Sequence, residues 1–199
     1  MKHHDIQAKT ARKFILTTNS KRSLSPAPDK LTRNFYANKP NKSWVSDTTF
    51  IRTKQGWLYL ATVIDLYSRQ VVGWSMSDKN NTDLVSQDFM MAIKRRGEPK
   101  NIVLHSDQGS TYASAYYRQL LVEFKAICSM SHKGECLDNA VAESFFSKLK
   151  SEWANEFNYS TREQAKQSIF KYIEVFYNRQ RRHSYLNYQT PVEFEAKNN

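Results

Sequence analysis

The stretch 105–112, His-Ser-Asp-Gln-Gly-Ser-Thr-Tyr, and the run 138–149, Asp-Asn-Ala-Val-Ala-Glu-Ser-Phe-Phe-Ser-Lys-Leu, decide how this 199-residue chain is read. Asp107 closes a short apolar run, Ile102-Val103-Leu104, of the kind a buried central strand carries. Glu143 lies in a segment of helical periodicity, and 35 residues separate the two acids. A third carboxylate, Asp47, stands upstream in the strand-like run Trp44-Val45-Ser46-Asp47-Thr48-Thr49-Phe50. On a helical wheel turning about 100° per residue, Asn139, Ser147 and Lys150 fall within about 40° of Glu143, with Val141, Phe145 and Leu149 opposite. Glu143 is therefore expected to project from a polar face shared with Lys150. Two strand carboxylates and one helix carboxylate suit a magnesium-dependent phosphoryl-transfer site, because this hard cation often takes only one or two protein carboxylates per ion. In two-metal sites the ions sit ~3.5–4 Å apart and clamp the attacking and leaving oxygens of an in-line displacement.

Outward from this stretch, the order of elements is legible. Trp44–Thr53 and Trp57–Leu66 are rich in aromatic and β-branched residues and are joined by a Lys54-Gln55-Gly56 turn. Gln70–Ser77 continues the meander, with Gly73 a candidate bulge. Thr82 is the expected N-cap of a helix carrying Leu84, Val85, Phe89, Met90 and Ile93, which stops near Gly97-Glu98-Pro99. A strand over Ile102–Ser106, a helix over about Ser114–Phe124 and a short strand over Ala126–Met130 follow. Asp138, just before the helical run, is the expected N-cap of the Glu143 helix. A last helix from Thr161 to about Arg182 carries Ile169, Ile173, Phe176 and Tyr177 at core spacing.

Composition sets wider limits. Hydrophobic residues at 40% and aromatics at 13% mark a globular chain, long enough for one domain with a substantial core. Thirty Lys and Arg against nineteen Asp and Glu give a net charge of +11, which favours a polyanionic partner such as nucleic acid. Cys128 and Cys136 are too few and too far apart for a zinc cluster, and are read as ordinary thiols of a reducing cytoplasm. The N-terminus lacks the apolar core of a secretion signal, and no stretch approaches membrane-spanning length, so the expectation is a cytoplasmic, nucleoid-associated protein without membrane contact. Residues 1–43 form a basic arm interrupted by Pro26 and Pro28, either a solvated linker or an arm that tracks DNA.

The motifs Trp-Val-Ser-Asp-Thr-Thr-Phe (44–50), Val-Ile-Asp-Leu-Tyr-Ser-Arg-Gln-Val-Val-Gly-Trp (63–74), 105–112, 130–150 and Tyr-Asn-Arg-Gln-Arg-Arg-His (177–183) occur in an order that resembles one known family. That family is the integrase core of bacterial insertion-sequence transposases, family three, relatives of retroviral integrases with an Asp-Asp-Glu site. The resemblance covers roughly residues 28–196. It implies an α/β ribonuclease H-like fold with a five-stranded mixed sheet flanked by helices. It divides the chain into the basic arm, a catalytic core at 44–182 and a C-terminal tail at 183–199. It also implies an upstream helix-turn-helix region for which this chain has little room, so that a truncated chain, or one needing a separate helix-turn-helix partner protein, is expected.

By that resemblance Asp47, Asp107 and Glu143 are the catalytic, metal-holding residues, and two Mg²⁺ ions, with Mn²⁺ as substitute, are expected. The implied reaction is attack by water, then by the freed 3′-hydroxyl, on DNA phosphodiesters, by a homo-oligomer assembled on double-stranded transposon ends and target. Lys150, Lys148, Asn139, Lys133, Arg179, Arg181 and Arg182 are the candidate DNA contacts, although the arginine cluster also reads as a solvated helix end that complements the dipole. The family more often carries Arg at 132 and Asn at 135, where this chain has His and Glu, and weaker DNA contact is expected there. Asp65 is read as a structural acid binding the neighbouring turn, and His105 and His132 as packing residues. Two further readings stay open. One is an idle DNA-binding module or transposition regulator; the other is a structure-selective nuclease on the same fold.

Overall fold

The computed structural model describes residues 25–132 and 136–198. Lys133 and Glu135, and the arm upstream of Ser25, lie outside the described residues. Strands β1 (Ser43–Thr53), β2 (Gly56–Asp65) and β3 (Val71–Ser77) form an antiparallel meander. Helix α1 (Thr82–Arg95) crosses back to β4 (Val103–Ser106), and α2 (Ala115–Glu123) leads to β5 (Ile127–Met130). The sheet has the order β3-β2-β1-β4-β5, with β1–β4 and β4–β5 parallel. Helices α3 (Ala140–Glu152), α4 (Arg162–Lys171) and α5 (Pro191–Lys197) complete the body.

Period-two alternation of side chains divides the core into two layers. Leu58, Leu60 and Ile64 of β2 face a cluster with Phe145, Leu149, Ile169 and Tyr172, while Ala61 and Val63 face Leu84, Phe89, Ile93 and Tyr117. Each fully buried Leu, Ile or Phe contributes roughly 1.5–3 kcal/mol relative to exposure, so helices on both faces are required to hold this apolar sheet.

The bulge expected at Gly73 sits one residue earlier: the register passes from Val63↔Gly73 to Ile64↔Val71, leaving Val72 without a partner on β2. Gly73 instead lets α1 approach. A Cβ there would overlap the Asp88 carbonyl oxygen and come within 2.8 Å of the Ala92 nitrogen and Cβ, backbone that has no room to yield. Gly73→Ala is expected to cost about 1–3 kcal/mol by overpacking, read as a lower urea midpoint at unchanged slope.

Several local expectations change in the structure. Asn81, not Thr82, caps α1, its side-chain oxygen accepting the Leu84 N–H at 3.2 Å. Asp138 is not the N-cap of α3. It lies in a 3₁₀ turn, Cys136–Asn139, and accepts Arg33 Nε–H at 2.7 Å and the His132 N–H at 3.0 Å. The helix expected over 161–182 leaves regular α geometry at Tyr172, continues as a π segment to Tyr177, and ends at Arg179. Beyond Arg182, where a tail is expected, a 3₁₀ turn (Ser184–Leu186) and α5 fold onto the body. Glu195 of α5 pairs with Arg96 and accepts the Ser68 hydroxyl at 2.7 Å.

Candidate active site

β1 and β4 run parallel with Val45 opposite His105; Asp47 and Asp107 each follow that pair by two residues, and the charge of Asp107 reaches the Asp47 carboxyl. Asp107 lies just beyond the C-terminal end of β4, where open α/β sheets place their ligands. Its Oδ1 accepts the Gly109 N–H at 2.9 Å, and a Cβ on Gly109 would sit 2.9 Å from that same oxygen. The glycine thus keeps the carboxylate in its turn. Asp47 Oδ1 accepts the Thr48 N–H at 2.7 Å.

Helix α3 packs across β1 on Phe145, Phe146 and Leu149, with Ala142 buried at its start and Val141 partly buried. Asn139, at the N-cap, makes no capping bond. Its Nδ2 instead donates to the Ser46 carbonyl at 3.3 Å, seating the first turn against the residue before Asp47. Glu143 is exposed one turn further on, and Ser147 and Lys150 share its face, as the helical wheel requires.

The electrostatics tie these groups together. The Asp47 carboxyl is pushed up to about 7, first by burial and then by the negative charges of Asp107 and Glu143. The Thr48 N–H and Lys150 pull in the opposite direction without offsetting this. Asp107 is also raised, since the protein mass around the strand end withholds solvent even though the side chain reaches the surface. Lys150 is half-buried and lowered by that burial, against the pull of Asp47. Its ammonium lies 5.0 Å from the Phe50 ring centroid.

Among the expected DNA contacts, Lys148, Arg181 and Arg182 line one groove of about 530 Å³ along α3, with Arg69, Tyr185 and Tyr188. Arg181 is held by Glu152 through two bonds of 2.7 Å, which lowers the Glu152 carboxyl, and Arg179 Nε–H donates to the Glu174 carbonyl at 3.2 Å. Asn139 is buried and committed to β1. Asp65 is fully buried and structural. It accepts N–H groups of Asn41 and Tyr67, each at 2.9 Å, and faces Arg96 at 3.2 Å.

His105 is buried and exchanges a 2.8 Å hydrogen bond with the Ser129 hydroxyl. The packing role expected of His132 does not hold, because its side chain is 72% exposed and faces Asp138 at 3.3 Å. Among the described residues, Asp29, His132 and Asp138 form a trio whose ligand atoms all lie within 4.8 Å of one another. Arg33 and the His132 N–H already occupy Asp138 and hold its carboxyl down to about 2, so the trio ties the segment before β1 to the turn before α3.

Sequence reasoning missed Asp88. It is fully buried in α1, four residues after Leu84 on the apolar face, and lies 3.4 Å from the Ser46 hydroxyl, which is 3.0 Å from the Tyr112 hydroxyl. An acid at a core position of a helical wheel is the signal that could have found it.

Residues 37–136 match the family described as Integrase core domain, and residues 125–191 match a second family of the same description. The transposase InsF for insertion sequence IS3A of Escherichia coli (strain K12) is 42% identical over 198 residues, covering 100% of this chain and 69% of that protein. The transposase for insertion sequence element IS904 of Lactococcus lactis is 42% identical over 193 residues, covering 97% of this chain and 76% of that protein. Among solved structures, the HTLV-2 integrase catalytic core domain in complex with magnesium superposes with a TM-score of 0.61 at 17% identity, covering 79% of this chain and 97% of that one. A chain of the simian T-cell lymphotropic virus intasome gives a TM-score of 0.68 at 15% identity, with 89% of this chain covered but only 60% of that one. At such identities the likeness is one of fold, and the fold is the ribonuclease H-like one that the order of elements implies.

Proposed function

The chain belongs to the integrase core domain family, among the transposases of IS3-family insertion sequences, and on that premise we propose that it is a DNA transposase core working through Asp47, Asp107 and Glu143. The observation that supports these three residues is the Asp47 carboxyl, which burial first, and then the charges of Asp107 and Glu143, push up to about 7. Carboxylates crowded so that one resists ionisation form a site that a divalent cation would relieve. The donors are all oxygen, which fits Mg²⁺, or Mn²⁺ in its place. Asp47 and Asp107 would share the ions, with Glu143 completing the set. When bound, the metal supplies positive charge to the phosphate oxygens of an in-line displacement.

The chain's own groups do the rest. The Gly109 N–H fixes one Asp107 oxygen, and Asn139 fixes the start of α3 against β1. Lys150, on the Glu143 face, would meet a strand phosphate beside the carboxylates. The reaction read from this arrangement is hydrolytic release of a 3′-end followed by its transfer to a second phosphodiester. Neither step needs a covalent enzyme intermediate. Double-stranded element ends and target are the substrates in this reading. Joining two ends calls for a homo-oligomer on DNA, with a helix-turn-helix region supplied by a partner protein reading the ends. No described helix is long and apolar enough to cross a membrane.

The deciding experiment is anomalous scattering from a manganese-soaked crystal grown with duplex DNA. The expected result is manganese between Asp47 and Asp107 with Glu143 in reach, together with magnesium-dependent nicking by the same preparation. Ordered carboxylates around no manganese, and no nicking, would overturn the proposal. For the surface, Lys148→Ala is expected to weaken duplex binding regardless of sequence and to reduce the slope of log affinity against log salt by about 1. Anisotropy across a potassium chloride series measures both.

A further inference from the structure

Beyond Lys150 the β1–β2 hairpin carries a groove of about 800 Å³ that none of the roles above uses. One wall is the hairpin, with Phe50, Arg52, Lys54 and Trp57; the other is the segment after α3, with Phe157. Phe50, Trp57 and Phe157 are 47%, 46% and 49% exposed, and among the described residues none lining the groove is acidic. The Phe50 and Trp57 rings meet edge to face at 4.8 Å, while Phe157 stacks on the buried Tyr159 at 5.8 Å.

The walls are fastened to each other. The Lys54 N–H donates to the Tyr159 carbonyl at 3.0 Å. Arg162 donates its backbone N–H to Gln55 Oε1 and its Nε–H to the Trp57 carbonyl, each at 3.0 Å. A Cβ on Gly56, whose φ is +103°, would sit 3.0 Å from the Arg162 guanidinium, so the turn residue leaves room for that clamp. The half-exposed rings are therefore held open by the fold and are not merely frayed side chains.

Aromatic faces interleaved with cations and free of carboxylates are what an unpaired nucleic-acid strand requires: rings on which bases stack, and positive charge along the backbone. A paired base hides both faces in the duplex stack, so these rings favour parted strands over intact duplex. Lys150 belongs to both sites, lying over Phe50 and feeling the charge of Asp47, so the groove opens onto the candidate catalytic carboxylates.

We propose that this groove seats an unpaired stretch of the DNA strand leading into the active site, its bases on Phe50, Trp57 and Phe157 and its phosphates on Arg52, Lys54 and Lys150. The inference rests on the DNA transposase reading and adds a substrate form to it, DNA locally parted beside the scissile phosphodiester.

The test uses the full chain in EDTA with a fluorescein-labelled thymidine strand of about 8 nucleotides and a blunt duplex of equal length. Trp57→Ala and Phe157→Ala are each expected to weaken single-strand binding about tenfold and leave duplex binding unchanged, with Trp57→Phe regaining most of the loss. Unchanged single-strand affinity in both alanine variants overturns the proposal. So does an equal loss for strand and duplex, the mark of a general phosphate contact or a damaged fold. Glu143→Gln lies outside the groove and retains single-strand binding, so failure of the catalytic assignment and failure of the groove are read separately.

Discussion

Glu143→Gln is expected to abolish metal-dependent strand cleavage and joining while leaving the fold and the DNA affinity in place. The side chain is exposed on the polar face of α3, and its helix is anchored by Phe145, Phe146 and Leu149 on the other side. An isosteric change at such a position moves stability by no more than about 0.5 kcal/mol. The loss of a charged oxygen donor from a phosphoryl-transfer site is expected to cost at least about a thousandfold in rate. Cleavage of an end-containing duplex in magnesium, set beside circular dichroism and anisotropy of the same preparation, separates these effects. A variant keeping a substantial fraction of wild-type cleavage would remove Glu143 from the site. The substitution also takes away one of the charges that raise Asp47, so the Asp47 carboxyl should titrate lower in the variant.

Asp47→Asn should also destroy activity, yet make the metal-free protein more stable. In the folded chain this carboxyl titrates near 7, against an ordinary value of 3.8. Below the ordinary value both folded and unfolded chains hold the proton, and there is no penalty. As pH rises from about 4 to about 7 the unfolded chain gives up its proton first, so stability falls; above about 7 the whole penalty is present. A shift of this size corresponds to about 4 kcal/mol, or on the order of ten degrees in Tm for a chain of this length. The variant should therefore melt higher than wild type at pH 8 without metal, with the difference closing towards pH 4. Magnesium should raise the wild-type Tm and not that of the variant. A variant that melts lower at pH 8 would show that Asp47 is not electrostatically crowded.

Strands β1, β2 and β4, helices α1 and α3, and the polar face of Glu143 were legible because each depends on short-range pattern: β-branched runs, a 3.6-residue period, Gly and Pro stops. The features that were not legible depend on partners distant in sequence. Asp138 looks like an N-cap by position, but Arg33, brought in from the segment before β1, and the His132 N–H claim its oxygens. Arg181 reads as an exposed basic residue, yet Glu152 at the end of α3 holds it with both oxygens. The π segment at 172–177 follows no local sequence rule, and arises where Tyr172, Ile173 and Tyr177 all have to reach the core. The candidate acids themselves were marked by motif and by the 35-residue interval, while their coupling required the parallel pairing of β1 with β4.

That pairing has a consequence for when cutting power first arises. Asp47 and Asp107 lie sixty positions apart in sequence, and they come together only once the chain has crossed over through α1 and β4 has docked beside β1. The meander of β1, β2 and β3 is made of near neighbours and can close early, whereas the parallel contact bears the larger loop-closure entropy and closes late. A chain caught half-folded thus holds one acid without the other. On the roles proposed for Asp47 and Asp107, the site is complete only when this late-closing contact is made, so the order of chain closure would keep a half-folded chain from cutting DNA.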